Sequence, residues 1–444
     1  MVSRRLSPEV RAALGVGALA AAVRILWVLF ASRPPQGLSD PKIYLAAARS
    51  IADGDGYTSV LGEPTAYYPP GYPFFLGGVR AALDLVGAAE HVAFVTGLLQ
   101  ALLGGVTAAA VVLIGSRLTG TVTGRDRDLR AGVVAGVVVA LWPNLVLHSA
   151  VMLSETVFLA GFYVVLAAMC SWVARGPTDR TTSRRDQVLA ALVVLGTAWC
   201  TLVRPQSVAL LVPAAALAWW LGRVPWRRAA AGVGLVVAGI ALAVVPWGLR
   251  NVVVMDAPVP MSTNTGDNLC IGFNDDADGT FMQTPHCFTE GRYVDGPEIE
   301  VARDGELRGR ALRWIVDHPG ELPRLSVLKL RATFLHDSDG VGAWESYGED
   351  VHLSDGWRSA LRWTSDLYYW AVSLVALVGL GAVALDTLRA RRGDRRPPVH
   401  ALLVVAVALS GALVPVMFFG EERFKVPIVL CIALLAAYLP ARRW

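Results

Sequence analysis

Apolar residues run in long blocks along this chain, separated by short arginine-rich stretches and by two long polar ones. A membrane-spanning helix needs about 20 mostly apolar residues. About ten such blocks stand out, over 10–31, 89–116, 131–147, 151–173, 188–203, 205–222, 229–249, 366–388, 400–419 and 424–440. The 131–173 stretch reads either as one broken pair or as two full spans, and 188–222 carries the same ambiguity. The first block contains Arg24 and is followed by no small-residue cleavage site, so it reads as a retained helix rather than a signal peptide. The pattern predicts an α-helical polytopic membrane protein.

Composition agrees. Of 444 residues, 54% are hydrophobic and only 17% charged, and the mean hydropathy is +0.49. A soluble domain carries about 25% charged residues. A disordered chain, a fibrous repeat and an ordinary cytosolic enzyme are excluded. The net charge of +4 is too small to argue for nucleic acid. It becomes informative once divided by side of the membrane. The segments Met1–Arg11, Arg117–Arg130, Ala174–Gln187, Gly222–Arg228, Arg389–Pro398 and Ala441–Trp444, with Asp386, sum to +14, while the opposite side sums to −11. Positively charged loops stay in the cytoplasm. Both termini, Arg180 and Arg392 are therefore expected in the cytoplasm, and Thr58 and Gly291 outside. The chain divides into a first transmembrane helix (1–31), a first outer loop (32–88), a transmembrane bundle (89–249), a large mixed outer loop (250–365) and C-terminal transmembrane helices (366–444). An Ala/Arg-rich, Lys-poor composition hints at a high-GC bacterium, and with the apolar blocks the expected location is a bacterial cytoplasmic membrane.

The first outer loop opens with Leu38-Ser39-Asp40-Pro41, where Asp40 reads as a helix N-cap and Pro41 as the first helical position. Ile43, Ala47, Ala48 and Ile51 follow at helical spacing, so an amphipathic helix is expected along the membrane surface, ending at Asp53-Gly54-Asp55-Gly56. Tyr67-Tyr68-Pro69-Pro70-Gly71-Tyr72-Pro73 is a rigid aromatic segment. Its tyrosines suit a membrane-interface belt or the wall of a carbohydrate pocket.

An Asp opening an amphipathic helix after the first span, followed by Pro-Pro-Gly-Tyr-Pro, resembles the GT-C membrane glycosyltransferases, in the branch of lipid A aminoarabinose transferase and the protein O-mannosyltransferases. The resemblance continues through Leu153-Ser154-Glu155-Thr156, Val203-Arg204-Pro205 and Pro246-Trp247-Gly248-Leu249-Arg250-Asn251. It extends to Ser262-Thr263-Asn264-Thr265-Gly266-Asp267-Asn268, His318-Pro319-Gly320-Glu321 and Gly420-Glu421-Glu422-Arg423-Phe424. It implies the GT-C fold, an active site on the outer face, a sugar donor carried on a polyprenyl phosphate, and inversion at the anomeric carbon. Where the aminoarabinose branch has an acid–lysine pair before its proline, this chain has Tyr67-Tyr68.

Such a transfer needs a base or orienting carboxylate for the acceptor hydroxyl and cations for the leaving phosphate. The resemblance makes Asp40 that carboxylate, a role compatible with capping. Glu155 is the second, because an ionisable group inside an apolar run marks function unless it snorkels to water. Arg204, Arg250 and Arg423 are the candidates for the donor phosphate, since a planar guanidinium fork matches phosphate oxygens; their alternative role is anchoring at the interface. Tyr44, Tyr67 and Tyr68 are the candidate substrate-binding residues. The expected partners are a polyprenyl-phosphate-linked sugar, membrane lipids and a hydroxyl acceptor on a glycolipid, glycan or protein. No cofactor is required, and nothing supports a divalent metal.

In the large loop, Asn274, Asp276, Asp278 and Gly279 mimic the start of a calcium loop, but Pro285 stands where a bidentate Glu belongs, so an acidic turn is expected. His286 and Cys287 have no further ligands at zinc spacing. The tract from Glu298 to Leu335 reads as helices with an apolar face of Leu312, Ile315, Val316, Leu322, Leu325, Leu328 and Leu330. Cys270 and Cys287 are the only two of five cysteines in an outer loop, where oxidation is permitted, and are expected to pair. Two other classes of function fit the hydropathy: a lipid or solute transporter, and a non-catalytic scaffold. Repeated halves and mid-membrane charges would favour a transporter, and no internal repeat is evident.

Overall fold

The computed structural model describes residues 6–37, 39–119, 128–173, 183–287, 296–393 and 396–442. Helices dominate: α1 (Pro8–Ala31), α2 (Asp40–Asp53), α3 (Gly71–Asp84), α4 (Val92–Gly115), α5 (Leu129–Ala140), α6 (Pro143–Leu147), α7 (Glu155–Val173), α8 (Arg184–Val203) and α9 (Gln206–Leu221). They continue with α10 (Trp226–Val254), α11 (Thr265–Gly272), α12 (Pro297–Asp317), α13 (Leu322–Phe334), α14 (Asp339–Trp344), α15 (Asp355–Arg391), α16 (Val399–Met417) and α17 (Val426–Arg442). Among the described residues the only β pairing is two isolated bridges.

Among the described residues seven helices are long and apolar enough to cross a membrane: α1, α4 with the short turn before it, α7, α8, α10, α15 and α16. A bent pair, Leu129–Ala140 and Pro143–Ala150, makes eight if it counts as one span. The expected count of ten is thus not confirmed: the blocks at 205–222 and 424–440 form the shorter helices α9 and α17. The 131–173 ambiguity resolves into the bent pair followed by α7, and 188–222 into two helices broken at Arg204-Pro205. The chain is a multi-pass membrane protein.

Three helix pairs of the bundle are antiparallel: α1 lies along α4, α7 along α8 and α9 along α16, while α15 and α17 run parallel, with Tyr369 near Lys425 at one end and Asp386 bonded to Tyr438 at the other. The α1–α4 contact is close because a Cβ on Gly17 would sit 2.9 Å from the Gly105 carbonyl oxygen, and one on Gly105 would sit 2.7 Å from that of Gly17. Small residues allow such backbone approach where water supplies no hydrophobic drive. The arginine-rich ends gather at one side of the bundle, where Glu9 meets Arg117 at 3.2 Å and Tyr438 donates to Asp386 at 2.9 Å. Arg392 follows α15 at that side; Arg180 and Gly291 lie outside the described residues.

Arg24 is explained by the bend between the two halves of the broken pair, which turns by 59° and frees backbone carbonyls. Its buried guanidinium donates to Val139 at 3.1 Å, Ala140 at 2.9 Å and, within its own helix, Ala20 at 3.1 Å. Unsatisfied carbonyls in an apolar setting are costly, so Arg24→Leu is expected to destabilise the fold by about 2–3 kcal/mol. Thermal unfolding of the purified variant in detergent reads this directly.

The polar segments cover the opposite end. α2 turns Ile43, Tyr44, Ala47 and Ala48 inward against α3, a helix that the expected first loop does not contain. The expected apolar face over 298–335 is corrected. Leu325 is buried, but Leu312 and Val316 are exposed, and α12 turns Glu300, Asp304, Leu307 and Ala311 inward instead. Those carboxylates are satisfied: Glu300 accepts from Thr65, the Ala66 amide and Thr263, and Asp304 from the Gly266 amide. A carboxylate that binds loop backbone can occupy a buried face, which apolar periodicity does not register.

At 274–280 Asn274 accepts from the Asp276 amide and Asp278 from the Thr280 amide, so these side chains serve the turn itself. Cys270 and Cys287 form a disulfide with α-carbons 5.8 Å apart, while Cys170, Cys200 and Cys431 are buried and free. Replacing both bonded cysteines by serine is expected to cost about 3 kcal/mol on the chain-entropy account. Protease resistance of 260–290 in intact protein should fall accordingly.

Candidate active site

Asp40 is the first residue of α2, but the N-cap is Ser39, and no side chain caps this helix. The capping role expected for Asp40 is therefore corrected. Its carboxylate accepts from the Tyr68 hydroxyl at 2.7 Å and from Arg423 Nη1 at 2.9 Å. Tyr68 is set by the proline segment: its carbonyl accepts from the Tyr57 hydroxyl at 2.9 Å. Gly71 begins α3 directly against the end of α8, where a Cβ would come within 2.7 Å of the Leu202 and Val203 backbone. Only glycine permits that contact, which draws Tyr68 and Arg204 to one side of the molecule.

Glu155 is the first residue of α7, and its side chain is 1% exposed, so it does not snorkel. Its Oε1 accepts from Arg204 Nη2 at 2.9 Å and from Arg423 Nε at 2.7 Å. Glu155 Oε2 and Arg204 Nη1 have no hydrogen-bond partner among the described residues. Arg423 thus spans both carboxylates with different nitrogens of one guanidinium, joining residues 383 and 268 positions apart.

The remaining candidates separate. Arg250 donates to the carbonyls of Thr65 at 2.8 Å and Tyr57 at 2.9 Å and lies 4.8 Å over the Trp247 ring. It fastens the first loop to α10 and makes none of these contacts with Asp40, Glu155 or Arg423, so the structure does not bring this expected phosphate residue into their cluster. Tyr44 is buried edge-on behind Tyr68 at 4.9 Å and supports that ring. Tyr67 is buried with its hydroxyl donating to Asp267 at 2.6 Å. Of the three expected substrate tyrosines, Tyr68 carries its hydroxyl onto Asp40.

Arg423 sits in the tight turn Glu422–Lys425. Glu422 accepts from the amides of Ser338 at 2.5 Å and Asp339 at 2.9 Å. Lys425 is fully buried, pairing with Asp337 at 3.2 Å and donating to the His336 carbonyl. Asp337 also accepts from Trp142 at 2.6 Å and Asn144 at 3.0 Å, beside the bend of the broken pair. This network delivers two residues that motif reasoning does not identify, Asp339 and Tyr347. Asp339 Oδ2 lies 3.4 Å from His148 Nε2 and accepts from the Tyr347 hydroxyl at 3.4 Å. Their only sequence signal is the polar run His336-Asp337-Ser338-Asp339 after an apolar helix. His148, expected as an ordinary interfacial residue, is buried.

Electrostatics follow from this crowding. Burial disfavours the charge on Arg423, but Glu155, Asp40 and Glu421 outweigh it and hold the guanidinium firmly protonated. Burial pushes the Asp339 carboxyl up to about 7, opposed by Arg423 and reinforced by Glu422 and Glu155. Glu421 is likewise raised to about 7 by burial, against the pull of Arg423. Among the described residues no group of three or more His, Cys, Asp or Glu side chains is arranged to hold a metal ion.

Comparisons place this architecture. No family model and no curated protein matches the chain. Solved structures do. The apo oligosaccharyltransferase of Archaeoglobus fulgidus superposes with a TM-score of 0.54 at 13% identity, over 96% of this chain and 50% of that one. The oligosaccharyltransferase AglB of the same organism, in complex with an inhibitory peptide and a dolichol-phosphate, gives 0.52 at 12% identity, over 96% and 50%. ArnT from Cupriavidus metallidurans bound to undecaprenyl phosphate gives 0.42 at 16% identity, over 96% and 77%. The chain spans about half the length of the archaeal enzymes. Along nearly its whole length, the chain carries the GT-C fold of the membrane glycosyltransferases.

Proposed function

We propose that this chain is an inverting, integral-membrane glycosyltransferase that moves a sugar from a polyprenyl-phosphate donor to a hydroxyl of a glycolipid, cell-wall glycan or protein. The observation that carries the reading is Arg423, which bridges Asp40 and Glu155 at the non-arginine-rich end of the bundle with Arg204 alongside. A lipid-phosphate sugar already has a good leaving group, so the protein must chiefly supply a carboxylate for the acceptor and cations for the phosphate. Asp40 contacts the acceptor hydroxyl as its orienting carboxylate or its base. Arg423 and Arg204 receive the phosphate; Arg204 Nη1, without a partner among the described residues, is a ready donor. Two arginines supply this charge, and the reaction requires no metal cofactor.

A place for the lipid tail supports the same reading. An apolar groove of about 480 Å³ runs between α3, α4, α7 and α8, lined by Phe75, Leu103, Val157, Val164, Leu192 and Trp199 among others. Val157 is two residues from Glu155 and Trp199 five from Arg204, so the groove begins beside the charged cluster. The dolichol-phosphate in the archaeal neighbour is a ligand of the same chemical kind. A solute transporter would not need its charged side chains gathered at one end.

The site faces the outside of a bacterial cytoplasmic membrane in this reading, with both termini inside. Thr58 is buried beneath Ser50, so the exposed Asp55 is the better outer probe. A cysteine at position 55 is expected to react with an impermeant maleimide in intact cells and one at 392 only after lysis; the reverse pattern overturns the orientation. The function itself is tested by deleting the gene and comparing lipids, glycans and glycoproteins by mass spectrometry. One sugar should vanish from an acceptor, and wild type but not Asp40→Asn should restore it. Full restoration by the variant refutes the enzyme reading.

A further inference from the structure

We propose that Asp339 is the group that takes the proton from the acceptor hydroxyl, with Tyr347 and His148 holding it for that task. This rests on the transferase reading above and specifies its proton acceptor.

The two carboxylates named first are poorly placed as bases. Both oxygens of Asp40 are engaged, one by the Tyr68 hydroxyl and one by the Arg423 guanidinium. Neither oxygen is left open to take up a further proton without breaking one of those bonds. Glu155 is buried, and two arginines share its Oε1. Asp339 is held more loosely. The Tyr347 hydroxyl and His148 Nε2 both lie 3.4 Å from its Oδ2, and its side chain is 11% exposed. Neither ring nitrogen of His148 has a hydrogen-bond partner among the described residues, although its side chain is 1% exposed. A buried imidazole without partners, facing a carboxylate, is an unmet polar group with an evident role beside a proton acceptor.

Backbone geometry points the same way. Ser346, Tyr347 and Gly348 have φ of +50°, +55° and +102°, three consecutive left-handed residues of which only the last is glycine. Such conformations persist where the surroundings enforce them. Here they direct an exposed tyrosine onto Asp339. The series runs from Tyr347 at the surface through Asp339 to the buried His148.

The step balances. The acceptor O–H proton passes to Asp339, the acceptor oxygen bonds to the anomeric carbon, and the bond from that carbon to the phosphate oxygen breaks. Its electron pair leaves on the phosphate, beside Arg423 and Arg204. The charged groups around Asp339 are Arg423, Glu422 and Lys425 in the tight turn, Glu421 just before it and Glu155 on α7, together with Tyr347 and His148. Their balance, with burial, keeps its carboxyl near 7, where a general base works well.

The test uses full-length protein in lipid nanodiscs. Binding of undecaprenyl phosphate is measured by native mass spectrometry. Turnover is read as undecaprenyl phosphate released from a panel of synthetic undecaprenyl-phosphate sugars between pH 5 and 9, with infrared titration of carboxyl groups alongside. A base must be deprotonated to act, so wild-type turnover should fall as pH drops through about 7. Asp339→Asn should bind undecaprenyl phosphate within about 2-fold of wild type, lose that acidic limb and turn over about 100-fold more slowly at neutral pH. Tyr347→Phe should shift the limb, and Glu421→Gln should retain it. The infrared band titrating near 7 should shrink in Asp339→Asn, and a band unchanged in that variant overturns the proposal even if no panel sugar is turned over. A limb that survives Asp339→Asn, or that disappears with Glu421→Gln, overturns it while leaving the transferase reading intact. Failure of the wild type to bind undecaprenyl phosphate overturns both.

Discussion

Asp40→Asn is expected to leave the protein folded and to lower sugar transfer by about 100-fold or more. The substitution is nearly isosteric, and α2 does not depend on the side chain because Ser39 occupies the cap position. Asn can still accept one hydrogen bond from Tyr68 or Arg423. What it removes is the negative charge between the phenol and the guanidinium. Without it, the acceptor hydroxyl loses its charged partner, and Arg423 is drawn toward Glu155 alone. Transfer assayed with purified protein in detergent, beside an unfolding curve, separates chemistry from stability. Turnover at the wild-type rate would make Asp40 a bystander and dissolve the assigned site.

Arg423 should be the most sensitive position in the molecule. Arg423→Lys keeps the charge but has one nitrogen, where the native side chain places Nε on Glu155 at 2.7 Å and Nη1 on Asp40 at 2.9 Å. A point charge cannot reproduce that fork. Transfer is expected to fall by about 100- to 1,000-fold, the scale of losing a preorganised donor to developing charge. Arg423→Met goes further, leaving Glu155 with Arg204 as its single ion-pair partner. Breaking a buried pair from one side costs about 3–5 kcal/mol, so this variant should also unfold measurably earlier. The contrast is diagnostic: the Lys variant fails mainly in turnover, the Met variant in both turnover and stability. A Lys variant with full activity would show that the fork joining the two carboxylates is not needed for transfer.

The sequence by itself determined the class of molecule and the division of charge between its loops. Blocks of about 20 apolar residues have few structural outcomes in a bilayer, because every backbone group must be bonded within a helix. The side on which arginines gather is equally legible, since it depends on counting charges between blocks. Asp40, Glu155, Arg204 and Arg423 were visible as charges interrupting apolar sequence or flanking prolines, in an order that resembles GT-C enzymes. The cysteines of the large loop were legible for the same reason of compartment, and they are bonded.

Tertiary structure decided what each charge touches. Arg204 and Arg250 look alike in sequence, each at the C-terminal end of an apolar block, yet one meets Glu155 and the other binds loop carbonyls. The difference lies in which loop folds over each helix end, and no local pattern records it. Tyr67 and Tyr68 are adjacent, but backbone direction sends one hydroxyl to Asp267 and the other to Asp40. Asp339 and Tyr347 reach the site through Glu422, Lys425 and Asp337, contacts between segments more than 80 residues apart. Local periodicity reads which face of a helix is apolar; it does not read a carboxylate buried to bind a distant amide, as Glu300 is, or one placed beside a buried histidine, as Asp339 is. Those arrangements depend on long-range packing, where burial and the partner's chemistry, rather than position in the chain, set the role of a residue.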